Sequence, residues 1–170
     1  SQADKLARLK EASGYPIDCA TYVACDFEKD DFVDRLVAAG FDPKAPALVV
    51  WEGVSYYLPG AAVRHTLRRT ASALHPRSII VFDHFLERFV DAAARPAKDA
   101  KAAEFADDLG ERFLWGSNDP LPMLHEEGFR HVRSVSFDEI CLSLTGTYMR
   151  SREFRFQRIC TASPTVPCTR

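Results

Sequence analysis

Three short apolar runs, each stopped by an acidic residue and each separated from the next by a stretch of helical spacing, limit the folds open to this chain. The runs are residues 19–25 (CATYVAC) before Asp26, residues 47–51 (ALVVW) before Glu52, and residues 78–82 (SIIVF) before Asp83 and His84. Short runs with no strong polar group inside them suit strands buried on both faces. Between them, residues 29–39 place Phe32, Val33, Leu36 and Val37 on one helical face and stop at Gly40. Residues 61–75 do the same with Val63, Leu67, Thr70 and Leu74, and Pro76 closes the segment. Strand and helix in alternation predict an α/β protein with a parallel sheet.

The flanking segments are read the same way. Residues 3–12 form a short helix carrying Leu6 and Leu9, ended by Ser13-Gly14-Tyr15-Pro16. Residues 86–109 are mixed helical sequence broken near Pro96, and residues 119–127 form a short helix that stops at Gly128. Residues 129–136 and 153–162 alternate apolar and polar positions, which predicts an antiparallel pair at the margin of the sheet. With 170 residues, 46% of them hydrophobic, the chain can bury one core of ordinary size, so residues 1–163 are read as one domain and residues 164–170 as a flexible tail.

Charge and cysteine usage narrow the partners. A formal net charge of -2 gives no field to attract nucleic acid, and Arg64, Arg68 and Arg69 recur at the spacing of a solvated helix face. The five cysteines (Cys19, Cys25, Cys141, Cys160 and Cys168) are odd in number and form no C-x-x-C pair, as expected of free, buried thiols in a reducing cytoplasm. No apolar run approaches the roughly 20 residues that cross a bilayer, so neither a membrane nor a nucleic acid is expected as a partner. His65, His75, His125 and His131 show no metal-ligand grouping.

In an open α/β sheet, ligands bind beyond the carboxyl ends of the parallel strands, which is where Asp26, Glu52 and the Asp83-His84 pair fall. A carboxylate beside apolar residues loses hydration and regains it only from a cation or hydrogen-bond donors. Asp26 has a second reading as a cap for the helix at 29–39. That reading suits Glu52 less, because Gly53 follows it rather than a helix.

The stretches YVACDFEKDDFVDRL, GFDPKAPALVVWEGVSYYL and SIIVFDH, with LPMLHEEGFRHV further on, resemble the leucine carboxyl methyltransferase-like family of class I S-adenosylmethionine-dependent methyltransferases. The likeness runs in order through most of residues 3–162. It implies a Rossmann-like three-layer sandwich and an S-adenosyl-L-methionine cofactor, with a small molecule as methyl acceptor. Residue by residue, it implies that Asp26 accepts a hydrogen bond from the adenine amino group, that Phe27 offers a backbone N–H and its ring to the base, and that Glu52 faces the methionine end. Gly53 would permit close backbone approach there. Tyr57 either borders the acceptor pocket or packs against neighbouring loops, and His84 is either a general base or a hydrogen-bonded structural residue.

The sequence departs from the family in one respect. Family members carry a first strand, a glycine-rich G-x-G-x-D-x-R loop and a second strand ending in a ribose-binding acid, and none of these is found in the 170 residues. Residues 3–12 match the helix that follows that second strand. The family sheet order, 3-2-1-4-5-7-6, then predicts a gap between residues 19–25 and 47–51. Those two runs are expected to pair directly, to pair with a second copy in a homodimer, or to await an N-terminal segment that completes the sheet. The fold class is therefore an incomplete class I methyltransferase sandwich with C-terminal antiparallel strands. Its function is S-adenosylmethionine-dependent O-methylation of a carboxyl or hydroxyl group, or else that of a catalytically silent binding or association module.

Overall fold

The computed structural model describes residues 2–12, 14–97, 100–101, 104, 108, 110–147 and 155–165. The elements in chain order are α1 (Gln2–Glu11), α2 (Phe32–Ala38), β1 (Leu48–Trp51), α3 (Gly60–Ala73), β2 (Ile79–Phe85), α4 (Glu87–Val90), α5 (Leu121–Glu126), β3 (His131–Ser136), α6 (Phe137–Thr145) and β4 (Gln157–Ser163), with single 3-10 turns at Ile17–Cys19 and Ser55–Tyr57. The strands form one sheet in the order β1-β2-β4-β3. β1 and β2 run parallel, with Val49 opposite Ile80 and Trp51 opposite Phe82. β4 lies antiparallel to both β2 and β3, with Cys160 opposite Phe82 on one side and Ser134 on the other. The antiparallel margin expected from the alternating segments is present, and the order follows the last four strands of the 4-5-7-6 pattern. The mixed sheet with its helices is a Rossmann-like α/β fold.

The main core lies on one face of this sheet. Val63 and Leu67 of α3 and Leu124 of α5 pack with Phe129 onto Trp51, Ile80, Phe82, Cys160 and Ala162. These positions alternate along β2, so a single stripe of α3 covers alternate strand residues. The opposite face of β1 is open, with Leu48 and Val50 66% and 63% exposed. A second cluster of Tyr56, Phe85, Phe89 and Phe156 stacks beyond the end of β2.

Four sequence expectations are corrected. First, residues 19–25 form no strand. Cys19 closes the 3-10 turn and residues 20–26 carry no sheet pairing. Nor are they buried as their composition predicts: Cys19, Ala20, Thr21 and Ala24 are exposed and Tyr22, Val23 and Cys25 are intermediate. A cavity of about 870 Å3, lined by residues 23–27 and by β1, takes the place of direct pairing with residues 47–51. Second, the arginines of α3 lie on a partly solvated face, as expected, but they also act as clamps. Arg64 and Arg68 both reach Glu127, whose side chain is 1% exposed, at 2.8 and 2.7 Å. Arg69 pairs with Asp31 and Asp34. Third, not all the cysteines are buried. Cys160 is, but Cys19 is exposed and Cys25 and Cys141 are intermediate. Fourth, α6 arises where no helix was expected. The Ser136 side chain accepts from the Glu139 amide while Glu139 accepts from the Ser136 amide, a reciprocal cap, and Gly146 ends the helix at φ 72°.

Cys168 and most of the tail lie outside the described residues, as do parts of the 86–109 and 153–162 segments. Among the described residues, no helix is long and apolar enough to cross a membrane.

Candidate functional site

Two loops meet at the carboxyl end of β1. The first is the turn at residues 26–30. Asp26 there accepts from the Glu28 amide at 3.1 Å and from the Lys29 ammonium at 2.7 Å, and the Lys29 bond holds its carboxyl below the usual carboxylate range. The N-cap of α2 is Asp31, not Asp26: the Asp31 side chain accepts from the Val33 and Asp34 amides. Asp26 is exposed and lines the 870 Å3 cavity. Next to it, the Phe27 ring lies 5.8 Å from Trp51 and 6.1 Å from Phe32, so the base of the turn is anchored on the end of β1.

The second loop runs from Glu52 to Leu58. Glu52 is exposed, and among the described residues no salt bridge holds it. Gly53 sits at φ 72°, a left-handed position that a side chain would strain. Its amide donates to Asp83 Oδ1 at 2.9 Å, so that N–H is already engaged. Tyr56 stacks on Phe85 at 3.9 Å and is buried, and burial together with the nearby Asp83 and Glu52 charges raises its phenol pKa. Tyr57 is half-buried against Tyr56 and Phe113, with Glu111 beside its hydroxyl.

His84 has moved out of reach of this chemistry. It is fully buried between Phe82 and Trp115, its Nδ1 lies 3.3 Å from the Phe85 carbonyl, and among the described residues its Nε2 has no partner. Burial pushes its pKa down to about 4, with the Arg158 charge adding to the effect. It lines none of the described cavities.

The structure thus brings Asp26 and Phe27 together with Trp51, next to Glu52 and Gly53, and keeps Tyr57 and His84 in aromatic surroundings. Sequence reasoning placed Asp83 at the ligand edge without giving it a role, and passed over Gln157 behind the second loop and Trp51, which lines the cavity and whose buried indole N–H has no partner among the described residues. For Asp83 the signal was its place at the tip of an apolar strand. Among the described residues, no grouping of His, Cys, Asp and Glu could hold a metal ion.

Comparison with known proteins starts from the sequence. The leucine carboxyl methyltransferase family model matches residues 1–71. A curated relative from Rhodococcus jostii, named as a putative S-adenosyl-L-methionine-dependent methyltransferase, is 37% identical over 123 residues, covering 68% of this chain and 40% of the relative. The chain belongs to the leucine carboxyl methyltransferase-like family. Members of this family use S-adenosyl-L-methionine.

Solved structures agree on the fold. A DUF574 family protein from Streptomyces avermitilis superposes with a TM-score of 0.57 at 11% identity, covering 80% of this chain and 53% of its own. The CurJ carbon methyltransferase gives 0.56 at 12% identity, covering 97% and 39%. The methyltransferase domain of the citrinin polyketide synthase gives 0.54 at 14% identity, covering 97% and 36%. The chain thus spans about 40% of the length of the curated relative it matches.

Measured against the family cofactor, the residues fit in kind. The cavity is lined by an acceptor, Asp26, and by an aromatic wall of Phe27 and Trp51, while Glu52 and Gly53, which follow Trp51 in the chain, are not part of its lining. The unpartnered Trp51 indole N–H is a buried donor at that wall, and a buried donor without a partner favours a ligand or chain segment that supplies an acceptor.

Proposed function

We propose that this chain provides the adenine- and methionine-facing part of an S-adenosyl-L-methionine-dependent O-methyltransferase site. The observation that carries the reading is the Phe27–Trp51 contact at 5.8 Å, which puts the Asp26 turn and the Glu52 loop side by side at the carboxyl end of a parallel strand. Asp26 and Phe27 hold the base, and Glu52 and Gly53 face the amino-acid end of the cofactor. An exposed carboxylate beside an ammonium gains a charge-assisted bond that a neutral residue does not offer. When bound, the cofactor would supply a methyl group already activated on a sulfonium for transfer to an acceptor oxygen. The protein's task is then alignment rather than activation.

A carboxylate acceptor fits best, because it needs no base. His84 is sealed in the core with its pKa down near 4, and the Tyr56 phenol is held protonated. An alcohol acceptor would require a base, and in this reading the loop's one carboxylate, Glu52, is taken up by the amino-acid end of the cofactor.

Isothermal titration with S-adenosylhomocysteine tests the reading. Micromolar binding that weakens in Glu52→Gln and Asp26→Asn supports it, and no binding up to millimolar concentration overturns it for this chain on its own. The second reading, a silent association module, draws on the apolar cavity beside the free edge of β1. In that reading an extended segment, from a second copy or from another stretch of polypeptide, adds to β1 and completes the sheet. Analytical ultracentrifugation separates the two sources, since a second copy doubles the mass in a concentration-dependent way.

A further inference from the structure

Behind the Glu52 loop lies one buried carboxylate. Asp83, 4% exposed on β2, accepts from the Gly53 amide through Oδ1 at 2.9 Å and from Gln157 Nε2 through Oδ2 at 2.9 Å. Its main-chain carbonyl accepts from Ser55 Oγ, and its charge bears on the Tyr56 phenol. A single residue therefore reaches Gly53, Ser55 and Tyr56, three of the first five residues of the loop that presents Glu52.

A buried acid is costly unless donors satisfy it, and here each of its two oxygens accepts from one, the Gly53 amide and Gln157. Gln157 comes from β4, the neighbour of β2, so the carboxylate is braced from within the sheet and directs its other oxygen at the loop. A carboxylate used only to join β2 to β4 would have no need of the Gly53 bond. Gly53 itself stands at φ 72°, where the chain turns sharply. The peptide that precedes it is that of Glu52, so the bond fixes the peptide plane from which the Glu52 side chain departs.

We propose that Asp83 is the positioning residue of the site: through the Gly53 amide it holds the Glu52 loop in the conformation that meets the ligand. The inference rests on the function proposed above for its purpose, but the loop restraint can be measured without any ligand.

The experiment uses the whole chain with Asp83→Ala, Asp83→Asn and Gln157→Ala, with amide hydrogen exchange by NMR and S-adenosylhomocysteine titration as readouts. Loss of a hydrogen bond to a charged group should speed exchange of the Gly53 amide roughly 10- to 100-fold in Asp83→Ala while the amides of β2 keep their protection. The same variant should bind S-adenosylhomocysteine roughly tenfold more weakly, the equivalent of about one hydrogen bond. Asp83→Asn keeps an oxygen for Gly53 and, with the Gln157 amide turned over, a matched partner for its NH2, so it should stay close to wild type in both readouts. Gln157→Ala should lower thermal stability and leave the Gly53 amide protected. If Asp83→Ala does not fold, Asp83→Ser replaces it, being polar but too short to reach Gly53.

Unchanged Gly53 exchange in the alanine or serine variant overturns the proposal. So does faster exchange with undiminished ligand affinity, or an asparagine variant as impaired as alanine. If the wild-type chain binds no S-adenosylhomocysteine, the functional reading fails, and the Gly53 amide alone then decides whether Asp83 holds the loop.

Discussion

Between neutral pH and about pH 4, acidification should destabilise this protein through His84. His84 has no exposed surface, its Nε2 lacks a hydrogen-bond partner among the described residues, and burial brings its pKa from 6.5 to about 4. The charged groups acting on it are Arg158, which lowers the value, and Asp83, which raises it; the Phe85 carbonyl beside Nδ1 also raises it but does not reverse the effect of burial. In the unfolded chain the imidazole takes up a proton near pH 6.5, while in the folded chain it does so only near pH 4. Between those values the unfolded state binds more protons, so stability falls as pH falls, and below about pH 4 the loss is complete. A gap of about 2.5 pH units corresponds to about 3 kcal/mol of stability lost on going from neutral pH to the acid limit. The assay is urea unfolding at intervals from pH 7.5 to pH 4, for wild type and for His84→Phe, which replaces one ring with another among Phe82 and Trp115. The wild-type curve should fall below the variant's with decreasing pH, and the His84 ring protons followed by NMR should show no titration above pH 5. Parallel stability curves, or a His84 titration near pH 6.5, would refute the reasoning.

The Glu127 clamp should respond asymmetrically. Glu127→Ala frees two arginines that are 42% and 62% exposed and can return to water, and should cost about 1 kcal/mol; Arg64→Ala with Arg68→Ala strands the buried carboxylate and should cost about 3 kcal/mol or more, both by urea unfolding. Ser136→Ala removes one half of the reciprocal cap of α6 and should destabilise the protein by about 1 kcal/mol in the same assay. Cys160, whose thiol burial raises to about 12, should resist iodoacetamide at pH 8 in the folded protein, while exposed Cys19 reacts, as peptide mass mapping will show.

The strands that could be read from the sequence were those whose apolar run coincides with a partner. ALVVW and SIIVF declare burial, and in the fold they lie side by side. CATYVAC declares the same burial, but a residue pattern carries no information on whether an edge stands within hydrogen-bonding reach, and here a cavity takes that place. α6 was overlooked although Ser136 and Glu139 spell its cap, because Phe137–Thr145 is apolar enough to resemble neither a solvated helix nor an alternating strand. The pairing of Arg64 and Arg68 was missed because their shared acid, Glu127, lies 63 and 59 residues further on. Within the site, the positions of Asp26, Phe27, Glu52 and Gly53 followed from the strand ends and the family likeness. The Asp83 hydrogen bonds did not, since they join residues 30 and 74 positions away.

That last separation also governs how the sheet is completed. β2 pairs with β1 upstream at once, but its other flank waits for β4, which follows more than 70 residues later. At a ribosomal rate of about 5 to 20 residues per second, that flank stays unsatisfied for roughly 4 to 15 s after β2 is made. During synthesis, then, the central strand of this molecule is a sticky surface with a lifetime of seconds, long enough for a holdase to engage it and for two nascent chains on one messenger to find each other.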